Sequence, residues 1–320
     1  MTIRITRNQE EIGACLESSD SPFPLASLRH LMMPYHCSIF ESPFENESFI
    51  VFFEDMPVCC AYRMVHRGRL SYFDQPFRVE FAEAFVSHES FKAVLQLVSK
   101  ELWLSREEFT EIDIEVPVAG EKTNLLLEKL LLNASSHNYY VEVCVNLPQS
   151  SSDLERGLRK SHRQSISQGI KEMDSVEISF GEIANHTFGA FKALHLTAAG
   201  RETRPELSWE LQKQAILNKQ ASLVTLSYDS RVIGASFFWL SRASGLYGSA
   251  AYDRSLFSKL PVAHLGIFRA IQHAQNIGLS HFIIGEAYSP GGSEKEQGIA
   301  TFKRGFSPTR EHFHRLRLPH

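Results

Sequence analysis

Near the end of this 320-residue chain, Lys303 lies in the run Lys295-Glu-Gln-Gly-Ile-Ala-Thr-Phe-Lys-Arg-Gly-Phe306. Helical spacing puts Ile299, Phe302 and Phe306 on one face and projects Lys303 and Arg304 near its end. Amide formation from an activated ester or thioester builds negative charge on a carbonyl oxygen. A fixed cation beside that oxygen lowers the barrier by several kcal/mol, and Lys303 is the candidate. The same two cations also suit a helix C-terminus through the backbone dipole, so spacing alone leaves both readings open.

An amine attacking such a carbonyl must lose a proton. Glu286 directly follows the apolar run Ile283-Ile284-Gly285, at the kind of strand end where α/β sites concentrate, and is the candidate acceptor; Asp253 and His264 are its rivals. Tyr252, also at a strand end, is placed to hold a sugar or peptide. Arg201 and Arg204 sit in the loop Thr197-Ala-Ala-Gly-Arg-Glu-Thr-Arg204, able to clamp a carboxylate or phosphate of an acceptor. Arg156, Arg159, Lys160 and Arg163 give a basic helix that suits RNA phosphates or simply a solvated face. Among 14 histidines, His312 and His314 alternate on one terminal strand without a third ligand at familiar spacing, and no metal is expected.

The elements that must position these groups alternate in type. Phe91, Val94, Leu95, Val98 and Leu102 predict an amphipathic helix, Ile112, Ile114 and Val116 a strand, and a leucine-rich stretch a helix over 121–134. Pro148-Gln-Ser-Ser-Ser152 breaks the pattern, giving domains over 1–149 and 150–320. Ser152 and Glu155 read as a capping box opening a helix that runs to about Lys171. Beyond it come a strand near 176–180, helices near 184–198 and 206–219, three strands between 221 and 251, a helix over 262–277 and strand His281–Gly285. An internal echo joins the halves: Phe49–Tyr62 and Leu223–Ser236 both read strand, polar turn, strand, with turns at Glu54-Asp55 and Asp229-Ser230. Third strands follow at Arg69–Phe73 and Leu246–Ala250. The fold class is mixed α/β.

Composition narrows the setting. No apolar stretch approaches the roughly 18 residues of a membrane span, and the N-terminus shows no apolar h-region. The five cysteines (Cys15, Cys37, Cys59, Cys60, Cys144) form no C-x-x-C pair, so a reducing cytoplasm is expected. Residues 1–150 hold 12 Lys and Arg against 22 Asp and Glu, whereas 151–320 hold 21 against 15. The positive second half is the better host for a phosphate-bearing partner.

Phe302-Lys303-Arg304-Gly305-Phe306, following a helix-Gly-strand unit over Ile267–Gly285, resembles the Phe-Lys-x-x-Phe ending of the FemAB family of aminoacyltransferases. Leu158-Arg-Lys-Ser-His-Arg-Gln-Ser-Ile166 is similar to the basic helix opening that family's second domain, and Pro261 opens the expected penultimate helix. The resemblance covers residues 153–310 well and the first half only in pattern. It implies two tandem GNAT-like domains, an acceptor held between them, and donor contacts largely from the second. Its functional lysine falls on Lys303, with Phe302, Arg304, Arg159 and Arg163 on the donor side and Arg201, Arg204, Tyr252 and His264 on the acceptor side. Family enzymes carry aminoacyl groups from tRNA onto cell-wall peptide precursors. Glycine is missing from Phe257–His264, where acyl-CoA enzymes of this fold cradle pyrophosphate, which favours aminoacyl-tRNA over acyl-CoA as donor. No tightly bound cofactor and no DNA partner is expected. The resemblance implies a peptidoglycan peptide precursor as acceptor, and the two-arginine loop would suit the phosphates of a nucleotide-linked surface-glycan amino sugar equally well. Two alternatives stay open: an acetyl-CoA-dependent N-acetyltransferase, and a non-catalytic tandem module that binds RNA or protein.

Overall fold

The computed structural model describes residues 2–40, 43–118, 124–147, 150–257, 259–288 and 292–319. In chain order the elements of the first part are β1 (Ile3–Thr6), α1 (Gln9–Leu16), α2 (Pro24–Ile39), β2 (Glu45–Asn46), β3 (Phe49–Phe53), β4 (Met56–Ala61), β5 (Met64–His66), β6 (Arg69–Ser71), β7 (Phe77–Phe81), α3 (Glu83–Val86), α4 (Phe91–Glu108), β8 (Glu111–Pro117), α5 (Asn124–Leu131) and β9 (Ser136–Asn146). Then follow α6 (Ser151–Gly157), α7 (Lys160–Glu172), β10 (Ser175–Ser179), α8 (Asn185–Ala199), α9 (Glu206–Leu217), β11 (Ala221–Tyr228), β12 (Arg231–Leu240), β13 (Ser244–Tyr252), α10 (Val262–Asn276), β14 (His281–Glu286), α11 (Glu294–Lys303) and β15 (Arg310–Pro319).

Two compact units emerge. One comprises Met1–Met33, Phe40–Val141 and Glu311–His320, the other Pro34–Ile39 and Glu142–Arg310. The division expected at 149/150 therefore moves to 141/142, and the last strand returns to the first unit. The reason is pairing: β15 lies antiparallel on β8, while the second half of β9 lies antiparallel on β14. Pro148 and Gln149 of the expected junction lie outside the described residues.

In the first unit, β3 pairs on both edges, with β1 and with β4, and is buried at every position. Its apolar run is what a strand covered on both faces needs. Phe91, Val94, Leu95, Val98 and Leu102 of α4 are all buried, as their spacing predicts. Along β8, Ile112, Ile114 and Val116 enter the core while Asp113 and Glu115 turn to the opposite face. There arginines meet them: Arg78 donates to Glu115 at 2.9 Å, and Arg315 at 2.6 Å. Part of the acidic excess of the first half is thus buried and paired.

The internal echo is a duplicated hairpin. Glu54-Asp55 (φ 47° and 66°) and Asp229-Ser230 (φ 52° and 58°) both adopt the left-handed pair that a two-residue hairpin needs to match strand twist. In each unit a third antiparallel strand follows, then a helix, then a strand parallel to the third: β7, α4, β8 in the first and β13, α10, β14 in the second. In the first unit that third strand is Phe77–Phe81. The expected Arg69–Phe73 instead supplies β6, which pairs with β5.

Three local expectations also shift. The capping box opening α6 is Ser150 with Asp153, not Ser152 with Glu155. The long helix to Lys171 is broken, because Leu158 and Arg159 are extended and only then does α7 begin. The leucine-rich helix is Asn124–Leu131, its expected start at 121–123 lying outside the described residues.

Candidate active site in the second unit

Strands β13 and β14 pair in parallel only from Ser244↔His281 to Leu246↔Ile283. Beyond that point β13 carries a bulge opposite Phe237/Phe238, β14 shifts register between Ile283 and Gly285, and no further rung joins them among the described residues. Bulges re-aim side chains and end pairing. Residues Tyr247 to Tyr252 and Gly285-Glu286 belong to these unpaired halves.

A cavity of about 730 Å³ is lined by Tyr247 and Tyr252 from β13, by Pro261 and His264 from the start of α10, and by Phe302 and Lys303 from the end of α11. Four cations, Arg254, Lys259, Lys295 and Lys303, border it, and no carboxylate does among the described lining residues. A helix N-terminus, an apolar wall and several cations together suit an anionic ligand.

Lys303 is the last residue of α11, whose start is fixed by a capping box between Ser293 and Glu296. A Cβ added to Gly285 would lie 3.0 Å from the Lys303 Nζ, so the ammonium rests against the bare backbone of the β14 bulge. Burial pulls the Lys303 pKa below the ordinary lysine value, and the charges of Glu286 and Glu142 oppose that pull. These two carboxylates are cross-strand partners on β14 and β9. Glu142 is buried and was not singled out in the sequence, where nothing marks it as facing Glu286.

His264 packs its ring against Phe302 at 4.9 Å and against His162 at 4.6 Å. Burial, with help from His162, lowers its pKa to about 4, so it is neutral near pH 7 and a weak base. Tyr252 hydrogen bonds to Ser236 at 2.6 Å, and burial raises its pKa. Asp253 accepts from the Ser255 amide and hydroxyl at 3.1 and 2.5 Å and pairs with Arg231, so its carboxylate is committed to its own turn.

Of the residues expected at the site, Lys303, Phe302, Tyr252 and His264 meet at one cavity; Glu286 is not among its lining residues and acts on Lys303 through its charge. The other arginines lie elsewhere. Arg159 and Arg163 are exposed on and before α7, and Arg163 borders a shallow groove with Gln164, Ser167, Gln168 and Lys171. Arg304 donates to Thr301 Oγ1 at 2.8 Å and is not among the residues lining the cavity. Arg204 is built into the packing, donating to Gln212 at 3.2 Å, meeting His195 at 3.0 Å and stacking over Trp209 at 4.7 Å. Arg201 is exposed beside a hollow of about 120 Å³ that includes Trp209, so the two arginines do not form a free clamp. Nor do Ile299 and Phe306 share a face: Ile299 is 44% exposed, whereas Phe306, past the helix end, is 2% exposed. Of the glycine-free stretch Phe257–His264, Ser258 lies outside the described residues.

The splayed parallel pair, the helix start facing it and the duplicated hairpin define a GNAT-type fold, present in both units as a tandem. FemX is similar over the whole chain: TM-score 0.65 at 12% identity, covering 98% of this chain and 97% of that one. A conserved protein of unknown function from Bacteroides thetaiotaomicron gives 0.54 at 13% identity over 98% and 99%, and L-PGS from Bacillus licheniformis gives 0.51 at 11% over 92% and 91%. No family model and no curated protein matches the sequence.

Proposed function

We propose that the chain is a cytoplasmic N-acyltransferase that moves an aminoacyl group from an activated donor, aminoacyl-tRNA, to the amine of a cell-wall peptide or surface-glycan amino-sugar precursor. The observation that carries this reading is the Lys303 ammonium held against Gly285, within the field of Glu286, in the wall of the cavity where β13 and β14 part.

The chemistry follows from those groups. The acceptor amine attacks the donor carbonyl carbon, and the carbon–oxygen π electrons move onto oxygen. Lys303, half-buried and so poorly screened, stabilises that oxyanion as it forms. The proton that the amine releases passes to the departing 3′ oxygen of the tRNA as the ester bond breaks, with Glu286, whose charge acts on Lys303 but which does not line the cavity, as the proposed relay. Amide and free tRNA result, without a covalent enzyme intermediate. Arg254, Lys259 and Lys295 supply positive charge along the cavity for the phosphates of the donor's end.

Preference for tRNA over acyl-CoA rests on the missing glycines at the start of α10 and on the FemAB resemblance; the cell-wall peptide as acceptor rests on that resemblance alone. The test is amide formation from radiolabelled aminoacyl-tRNA or acetyl-CoA, with a nucleotide-linked peptide precursor or a nucleotide-linked amino sugar as acceptor. Transfer from aminoacyl-tRNA supports the reading. Transfer from acetyl-CoA alone makes the chain an N-acetyltransferase, and transfer from neither overturns the enzymatic reading.

A further inference from the structure

The end of α11 is gripped from outside. His162, on α7, brings Nε2 to 2.9 Å from the Phe302 carbonyl. A carbonyl only accepts, so Nε2 carries the proton. Two residues past Lys303, Gly305 leaves the room that the imidazole fills: a Cβ there would overlap the ring. Phe306 meets the same ring edge to face at 4.9 Å, and His264 at 4.6 Å. The Arg159 amide donates to the Gly305 carbonyl at 2.8 Å, and Arg310 donates to the Arg304 carbonyl at 3.0 Å. The Phe302 carbonyl also accepts the Gly305 amide at 3.0 Å, so His162 is its second donor, and carbonyls 302, 304 and 305 at this helix end are each occupied.

We propose that His162 is a positioning residue: its Nε2–H, bound to the Phe302 carbonyl, fixes the last turn of α11 so that the Lys303 ammonium stays against Gly285. The proposal rests on the acyl-transfer reading for its effect on catalysis, but the placement of Lys303 can be measured without any transfer. The Nδ1 of His162 is buried with no hydrogen-bond partner among the described residues, consistent with a neutral ring used solely as a donor through Nε2. Burial, followed by the Arg159 charge, disfavours a second proton, although the Phe302 carbonyl favours it.

Two variants separate the donor from the packing. His162→Phe keeps a ring of similar size against Phe306 and His264 but deletes the N–H. His162→Gln keeps an N–H at nearly the reach of Nε2. Each is assayed by acetic anhydride labelling of Lys303 across pH, read by mass spectrometry, by kcat and KM for transfer, and by thermal melting. Lys303 is faced by Glu286 from β14 and Glu142 from β9, so its labelling midpoint reports whether it remains in that enclosure. In His162→Phe the midpoint should move up toward the ordinary lysine value of 10.5. kcat should fall about 10- to 100-fold, the cost of a misplaced catalytic group, while the donor KM stays within about twofold. His162→Gln should restore both readouts. A folded His162→Phe protein with the wild-type labelling midpoint, or a His162→Gln variant no closer to wild type than His162→Phe, overturns the proposal. If the wild type transfers nothing, the acyl-transfer reading fails while the labelling arm still decides whether His162 places Lys303.

Discussion

The Lys303 Nζ lies 3.0 Å from the point where a side chain on residue 285 would begin, and Gly285 holds φ at +101°. The backbone region is one that other residues adopt only with strain, and a side chain here would push the Lys303 ammonium back by a few tenths of an ångström. Gly285→Ala should cost about 1–2 kcal/mol by the positive φ alone. It should also lower transfer more than that loss explains, because Lys303 must move. Chemical denaturation and kcat measured on the same sample check this.

Replacing the cation itself separates charge from placement. Lys303→Ala should reduce kcat by about 10²–10³, as loss of an oxyanion donor does elsewhere. Lys303→Arg retains charge and should keep part of the rate. Because burial lowers the Lys303 pKa, the wild-type rate should decline on the alkaline side below pH 10.5, as the ammonium loses its proton. A guanidinium does not titrate there, so the alkaline decline ascribed to Lys303 should vanish in Lys303→Arg. A pH–rate profile for both proteins gives the answer.

Acid stability has two opposed contributions. His264 binds its proton at about 4 when folded and near 6.5 when unfolded, so between those values the unfolded chain holds the extra proton. Stability from this group is complete above pH 6.5 and is lost as pH falls toward 4, on the order of 2–3 kcal/mol. Melting of wild type and His264→Phe from pH 7 to 4.5 should show the gap moving in favour of the variant as pH drops.

Glu80 works in the other sense. Its carboxylate accepts from the Leu25 and Ala26 amides at 2.9 and 2.6 Å, capping the start of α2. Burial raises its pKa to about 7, against the pull of Arg78 and the two amides. The folded chain therefore holds the proton between 4.5 and about 7, and stability falls as pH rises through that window. Glu80→Gln keeps an acceptor without the charge. Its melting temperature relative to wild type should rise from pH 5 to pH 8.

Periodicity carried most of the fold. The face of α4, the alternation in β8 and the paired hairpins at Glu54-Asp55 and Asp229-Ser230 are local patterns, and each stands where its spacing put it. What failed was long-range. Nothing in Arg69–Phe73 shows that the sheet position beside β4 goes to Phe77–Phe81, and nothing in β15 shows that it pairs with β8 rather than staying with the second unit. The site divides the same way. Lys303 and Phe302 were legible because one short run carries them. Arg204 was misread because its loop composition fits an exposed clamp, whereas its guanidinium stacks on Trp209, a packing choice with no sequence period. His162 passed unnoticed inside a basic helix. The signal that could have found it is Gly305, a glycine at a helix end with no turn of positive φ to explain it.

Retention of donor by the purified protein tests the central claim most directly. Bulk aminoacylated tRNA, uncharged tRNA and acetyl-CoA are each titrated against wild type and Lys303→Ala, with melting curves to show that both are folded. Charged tRNA should bind more tightly than uncharged tRNA and than acetyl-CoA, and the preference for the charged form should shrink in Lys303→Ala. Equal retention of charged tRNA by the two proteins, or binding of neither donor by the wild type, would contradict a transferase built around Lys303.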